Sequence, residues 1–396
     1  MKTLKFIPFF LVLVCILFGC EKKSNEITIT GYLEGIEDGT VFELNQINEG
    51  SRSFTLVAVD TLKKGSLKIT LTDSIPEARK MMLMARGEGF PPTWLDIWVT
   101  PGAEIEITGK DKLLRTWDVT SNVKEQQEQN KYITATKDYE RQTQAIMRDA
   151  YGWFDKMRNP EADEQSIQLA RHTIDSLYKI NDSLNIQILK EELRLMQESS
   201  HVDLVFMDKL KHHSTGVRYE QDHPCAECLT PLYERLSEEQ KNSETGKSIY
   251  LNLNPPKVVK DGDDMADTDL FDLEGNLHHL ADYKGKYLLL DFWSAGCGPC
   301  IMAIPEMKEI SEEYKDKVTL VSLSMDDKET WIEVSKNKGI TWVNLNDFRG
   351  DEGITLNYGV TGIPHYVMIS PEGKVLTSWT GYGKGSLKAK IKEIVQ

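Results

Sequence analysis

Basic residues are in deficit in this chain: 47 Lys and Arg stand against 62 Asp and Glu, a formal net charge of −15. A phosphate backbone needs a basic face, so no nucleic-acid partner is expected. Long apolar runs are lacking too, since the stretch from Phe6 to Phe18 is too short for a membrane span. Glycine and proline are sparse between Val123 and Leu253, which favours helix there. Cysteine is scarce, six in 396 residues, and none is left over. Cys15 lies in the first apolar run and Cys20 closes it, while Cys225 with Cys228 and Cys297 with Cys300 form two pairs. Residues 26 to 110 hold no catalytic cluster. No cofactor and no metal are expected. The rest of the composition, 40% hydrophobic and 28% charged, is ordinary for a globular protein, and 396 residues call for two to three domains.

What is present centres on Leu290-Asp291-Phe292-Trp293-Ser294-Ala295-Gly296-Cys297-Gly298-Pro299-Cys300. An apolar run from Tyr287 to Leu290 leads into it, and a helix-like stretch from Ile301 to Tyr314 follows. Two cysteines three apart at a helix start lie one turn apart on one face, close enough to close a disulfide. The free N–H groups of the first turn and the helix dipole stabilise a thiolate. That is a device for exchanging disulfides; a zinc half-site or a structural bridge is the competing reading.

At the N-terminus, Lys2 and Lys5 precede the apolar run, which ends at Gly19-Cys20, the pattern of a secretory signal over residues 1–19. Leu17-Phe18-Gly19-Cys20 resembles a bacterial lipobox, although Phe18 is bulkier than the usual residue. The resemblance implies lipidation of Cys20 and an envelope lipoprotein facing the periplasm or sitting on the outer membrane. An uncleaved anchor or an ordinary signal is the rival. Outside the cytosol, disulfides persist unless something reduces them.

Residues 20–120 read as a tether and a β-rich domain. Ser66 to Thr72 and Glu104 to Thr108 alternate apolar and polar, and Ile27/Ile29, Phe42/Leu44 and Met82/Met84 are further period-two pairs. Trp94 and Trp98 are read as core and turn residues, with an exposed aromatic surface as the alternative. Ile29-Thr30-Gly31 followed by Glu37-Asp38-Gly39-Thr40-Val41 resembles the uncharacterised β domain that precedes thioredoxin modules in many envelope lipoproteins. Residues 121–254 read as two to four helices, broken near Asn159-Pro160 and Ser199-Ser200. Within them, Cys225 and Cys228 open another helix, capped by Asp222 or His223, with Pro224 in its first turn. Three readings stand side by side for this pair: a structural disulfide, a second redox pair exchanging electrons with Cys297 and Cys300, and a metal site using His212, His213 or His223.

Residues 255–396 alternate strand and helix and end in a hairpin, the pattern of an α/β domain with a mixed sheet. Asp291-Phe292-Trp293, Cys297-Gly298-Pro299-Cys300, Pro305 and Gly362-Ile363-Pro364 together resemble thioredoxin. The hairpin at the domain start and the extra helix and strand near 328 to 345 resemble the membrane-tethered TlpA/ResA branch. The resemblance implies a thioredoxin fold and a thiol–disulfide oxidoreductase of the cell envelope. In it, Cys297 attacks, Cys300 resolves, Asp291 is the buried proton-handling acid and Pro364 is a cis-proline. It implies disulfide-containing exported proteins as clients, apocytochromes among them, and a membrane electron donor of the DsbD type. Three positions depart from the pattern. Gly296 replaces a Trp. Ala303 replaces a Glu, leaving Asp291 as the only buried acid. His365 replaces a Thr and is read as solvent-facing, with contact to substrate or tuning of Cys297 as the alternative. Two other functions compete: a thiol peroxidase, for which Leu290 stands where proline is needed, and a binding lipoprotein that merely carries a redox domain.

Overall fold

The computed structural model describes residues 25–47, 54–159, 161–219 and 225–395. Residues 1–24, with Cys15 and the proposed lipidation site Cys20, lie outside them, as do Asp222, His223 and Pro224. Eight strands come first: β1 (Glu26–Leu33), β2 (Val41–Ile47), β3 (Phe54–Thr61), β4 (Ser66–Thr72), β5 (Arg79–Arg86), β6 (Leu95–Val99), β7 (Glu104–Gly109) and β8 (Asp118–Ser121). They form two four-stranded sheets, ordered β4-β1-β7-β8 and β3-β2-β5-β6. Alternation sets the inner faces: Ile27, Ile29, Ile69 and Ile107 are buried in the first sheet, Phe42, Leu44, Met81 and Leu83 in the second. At the end of β7 only glycine fits, because a Cβ on Gly109 would lie 2.6 Å from the Trp117 indole. Trp98 is buried in this core, and Trp94 lies half-buried, donating to Asp96 at 2.9 Å.

Six helices follow: α1 (Lys124–Arg158), α2 (Glu164–Glu198), α3 (Leu204–Tyr219), α4 (Ala226–Tyr233), α5 (Glu238–Asn242) and α6 (Glu244–Leu253). The first two, 35 residues each, pair as a long hairpin. The helices do not form a core of their own. One apolar cluster runs from Ile27 in β1 through Tyr132, Leu193 and Phe206 to Ile249 in α6. Helices with one apolar stripe must bury it, and the sandwich offers the matching surface. Backbone groups of the sandwich are satisfied by α1: Trp98 N donates to Gln126 at 2.9 Å, and Val119 O accepts from Asn130 at 2.7 Å. In this layer Glu192 is buried with Lys209 at 2.6 Å and His213 at 2.8 Å.

The last third holds β9 (Leu270–Phe271), β10 (Leu277–His278), β11 (Tyr287–Trp293), α7 (Gly298–Glu313), β12 (Val318–Ser324), α8 (Lys328–Lys338), β13 (Val343–Leu345), α9 (Ile354–Asn357), β14 (His365–Ile369), β15 (Val375–Thr380) and α10 (Ser386–Ile394). The sheet order is β13-β12-β11-β14-β15, with β11, β12 and β13 parallel and β14 and β15 antiparallel to their neighbours. Both faces are covered, so β11 is buried almost throughout, and the site grows from its C-terminal end. The helical layer touches this domain at one turn: Arg218 donates to Asp351 O, and Ser248 donates to Glu352. Among the described residues no helix is long and apolar enough to cross a membrane.

Candidate active site

Strand β11 ends at Trp293, and residues 294–296 turn the chain into α7. Cys297 is the N-cap of that helix, Pro299 lies in its first turn where a missing N–H is harmless, and Cys300 follows one residue later. The pair is disulfide-bonded, with the two Cα atoms 5.2 Å apart. Cys300 N donates to Cys297 Sγ at 3.2 Å, so the cap sulfur already holds a hydrogen bond that a thiolate strengthens. Cys297 is partly exposed, whereas Cys300 is 2% exposed. Gly296, Gly298, Pro299 and Met302 around Cys297 are exposed. Pro305 lies inside α7, which runs on through it.

Asp291 is two residues before the end of β11 and 2% exposed. Leu289, two positions earlier, packs against Ala303 and Met307 of α7, and Trp293, two positions later, packs against Cys300. Strand alternation therefore puts Asp291 on the face that α7 covers. Burial drives its pKa up to about 7, against the pull of one hydrogen bond from Ser322 at 2.9 Å. Ser322 Oγ in turn accepts from Trp342 Nε1 at 2.8 Å. Asp291 Oδ1 has no hydrogen-bond partner, nor has the buried hydroxyl of Tyr366, its neighbour across the β11–β14 ladder. The Ile363–Pro364 peptide, immediately before β14, is cis.

Two acids missing from the sequence reading shape the site, and they correct the view of Asp291 as the only buried acid. Asp326 is 3% exposed and accepts from Ser294 Oγ at 2.9 Å and Ala295 N at 2.8 Å, fixing the turn before Cys297. Glu306, on α7, accepts from Gly385 N at 2.8 Å, Lys388 N at 2.9 Å and Tyr382 at 3.0 Å, tying the cysteine helix to the start of α10. No local pattern marks these braces, because the groups that Asp326 and Glu306 tie to the cysteine turn and to α10 are 31 to 82 residues away. A second correction concerns His365. It is buried rather than solvent-facing, shares a hydrogen bond with Thr380 at 2.8 Å and packs edge-on to Phe292. Phe292 belongs to the cluster on the other face of the sheet from α7.

The other cysteine pair is disulfide-bonded too, with Cα atoms 5.1 Å apart. Its helix begins later than the sequence suggested, with Cys225 itself as the N-cap; the expected capping residues Asp222 and His223, and Pro224, lie outside the described residues. Of the histidines considered as ligands beside it, His213 is held by Glu192. Among the described residues no group of three or more His, Cys, Asp or Glu is placed to hold a metal ion.

The Redoxin family profile matches residues 260–393. Thioredoxin-like protein YneN of Bacillus subtilis is 35% identical over 81 residues, 20% of this chain and about half (48%) of that protein. Thiol-disulfide oxidoreductase ResA of Bacillus thuringiensis subsp. konkukian is 32% identical over 125 residues, 31% of this chain and 72% of that protein. The chain belongs to the ResA-type thiol–disulfide oxidoreductases. The crystal structure of the thioredoxin domain of a thiol-disulfide oxidoreductase from Bacteroides vulgatus is 28% identical, covering 35% of this chain and 99% of that one, with a TM-score of 0.33. Residues before 260 in this ResA-type protein lie outside the family match.

Proposed function

We propose that this oxidoreductase works as a reductase of disulfides in exported proteins, held in the cell envelope by lipid on Cys20. The observation that carries the reading is the protonatable acid under an asymmetric pair: Asp291 is buried with a pKa near 7, Cys297 is accessible and Cys300 is not. In the reduced form the Cys297 thiolate attacks the client disulfide and forms a mixed disulfide, releasing one client thiolate. Cys300 then loses its proton, with Asp291 as the acceptor, and attacks Cys297 Sγ to free the second client thiol. Asp291 suits that step because at neutral pH it is poised between its two protonation states. Pro364 and the exposed surface around Gly296, Gly298 and Met302 form the platform for the client chain.

The Gly-Pro between the cysteines resembles the reducing end of the family. A reductant in an oxidising compartment needs electrons, and a membrane donor of the DsbD type supplies them in this reading; apocytochromes awaiting haem are among the clients. Purified chain with dithiothreitol should precipitate insulin by reducing its disulfides, and Cys300→Ser should accumulate mixed disulfides with envelope proteins. Failure of both would overturn the reading. Release of the chain from membranes by Cys20→Ser would test the anchor.

A further inference from the structure

We propose that Cys225–Cys228 is a second redox-active disulfide, entered through Cys228, that exchanges electrons with the Cys297/Cys300 dithiol. The proposal rests on the oxidoreductase reading of the latter pair. Both pairs occupy the same two positions of a helix, the N-cap and the third residue after it, with nearly equal Cα separations. A bridge between residues three apart closes so short a loop that it restrains the unfolded chain little. The fold around it supplies the restraint instead: Cys225, Leu229, Leu232 and Tyr233 are all part of the large N-terminal core. A staple is therefore a weak account of this disulfide.

Accessibility is reversed between the two pairs. At α7 the N-cap sulfur is the accessible one, whereas at α4 the N-cap Cys225 is 7% exposed and Cys228 is partly exposed. Thiol–disulfide exchange needs a sulfur open to in-line attack and a leaving thiolate that is stabilised. Cys228, the more exposed of the two, meets the first need better than the buried Cys225. Cys225 meets the second through the dipole of α4, at whose start it stands as N-cap, although its sulfur makes no capping hydrogen bond in the disulfide, unlike that of Cys297. The far end of α4 also reaches the redox domain: Tyr233 lines a cavity together with Phe348, Arg349 and Glu352. Phe348 packs edge-on to Trp331, which clusters with Cys300.

The exchange is balanced as follows. Cys297 thiolate attacks Cys228 Sγ, the Cys225–Cys228 bond breaks, and Cys225 leaves as a thiolate that takes up a proton. Cys300, deprotonated, then attacks Cys297 Sγ, and Cys228 leaves and is protonated. Two electrons and two protons have passed, leaving Cys297–Cys300 oxidised and Cys225/Cys228 as a dithiol.

The test uses the full oxidised chain treated with dithiothreitol at neutral pH without denaturant, quenched with acid, alkylated and read by peptide mass spectrometry. Both pairs should become reduced in the wild-type chain. In Cys297→Ser/Cys300→Ser, with circular dichroism confirming the fold, reduction of Cys225–Cys228 should slow at least about tenfold. The Cys300→Ser chain, pre-reduced at Cys297, should yield a Cys297–Cys228 cross-linked peptide in preference to Cys297–Cys225. The proposal is overturned if Cys225–Cys228 stays oxidised while Cys297–Cys300 is reduced, or if its reduction is equally fast in the double variant. A chain in which Cys297–Cys300 itself takes up no electrons would sink the underlying reading as well.

Discussion

Two carboxylates, one in each half of the molecule, are buried almost equally and titrate in opposite directions. Glu192 is 5% exposed and Asp291 is 2% exposed. Burial pushes both pKa values up. At Glu192 the Lys209 ammonium and His213 overcome that push and hold the carboxyl well below its usual range. At Asp291 the counterweight is the Ser322 hydroxyl, with no cation beside it among the described residues, and the pKa stays near 7. A buried acid given a cation is a fixed charge that serves packing. A buried acid denied one becomes a proton carrier near neutrality. The partners, not the depth, decide which of the two it becomes.

Experiments can break that contrast. The largest effect belongs to the chemistry above Asp291: Cys297→Ser should lower insulin reduction by about 10³-fold or more, since no other group attacks the client. Next comes the fixed charge. Lys209→Met strands Glu192 in the core, and urea unfolding should show a loss of about 3–5 kcal/mol. If that variant were as stable as wild type, the ion pair would not be what holds Glu192 ionised.

Asp291→Asn keeps the shape and removes the titration. Because the folded pKa is raised, Asp291 contributes stability below its unfolded value near 3.8, and that contribution is lost as pH climbs towards about 7. The Asn variant should therefore gain roughly 4 kcal/mol over wild type at pH 8, from a shift of 3.8 to about 7 at about 1.4 kcal/mol per pKa unit, and almost nothing at pH 4. Its reduction rate should fall by about 10²-fold near neutrality and lose the pH limb around 7. Glu192→Gln should do the reverse to the stability curve, since a depressed folded pKa gives stability above the unfolded value that is lost on acidification. Ser322→Ala removes the bond that restrains Asp291, so the pH–rate limb should move upward, with a stability cost of about 1 kcal/mol. The smallest effect is expected outside the core. A Cβ on Gly296 would meet only Ser294 Oγ at 4.0 Å, so Gly296→Trp should change stability by less than about 0.5 kcal/mol. Its kcat/KM for large clients should nonetheless shift several-fold, because an apolar ring would be added beside Cys297.

Much of the C-terminal domain was legible because its signals are local. Residues Lys328 to Lys338 read as a helix and α8 has those bounds, with Asp327 as N-cap and Gly339 in the left-handed region after it. The apolar run from Tyr287 to Leu290 marks the strand before the dithiol, and it lies in the buried strand β11. The middle region was harder. Two to four helices were expected and the described residues hold six, although Ser237 with Gln240 is a capping box written in the sequence, and Ser243 caps the next helix. Pro224 suggested a first helical turn that in fact starts after Cys225. His365 looked like a surface residue and is buried, since nothing local shows that Phe292 and Thr380 will enclose it.

Sequence alone determined the dithiol and the helix that presents it, because two cysteines three apart at a helix start are set by spacing along one stretch of chain; the roles of Asp291 and Pro364 were legible only through the resemblance to thioredoxin. Tertiary structure alone decided how those groups are poised. It packed the sandwich and the helices into one core and brought Asp326 and Glu306 to brace the ends of the cysteine turn and its helix. It also exposed Cys297 at one pair and Cys228 at the other. Charge, burial and access depend on what arrives from distant strands and helices, and no local pattern encodes those arrivals.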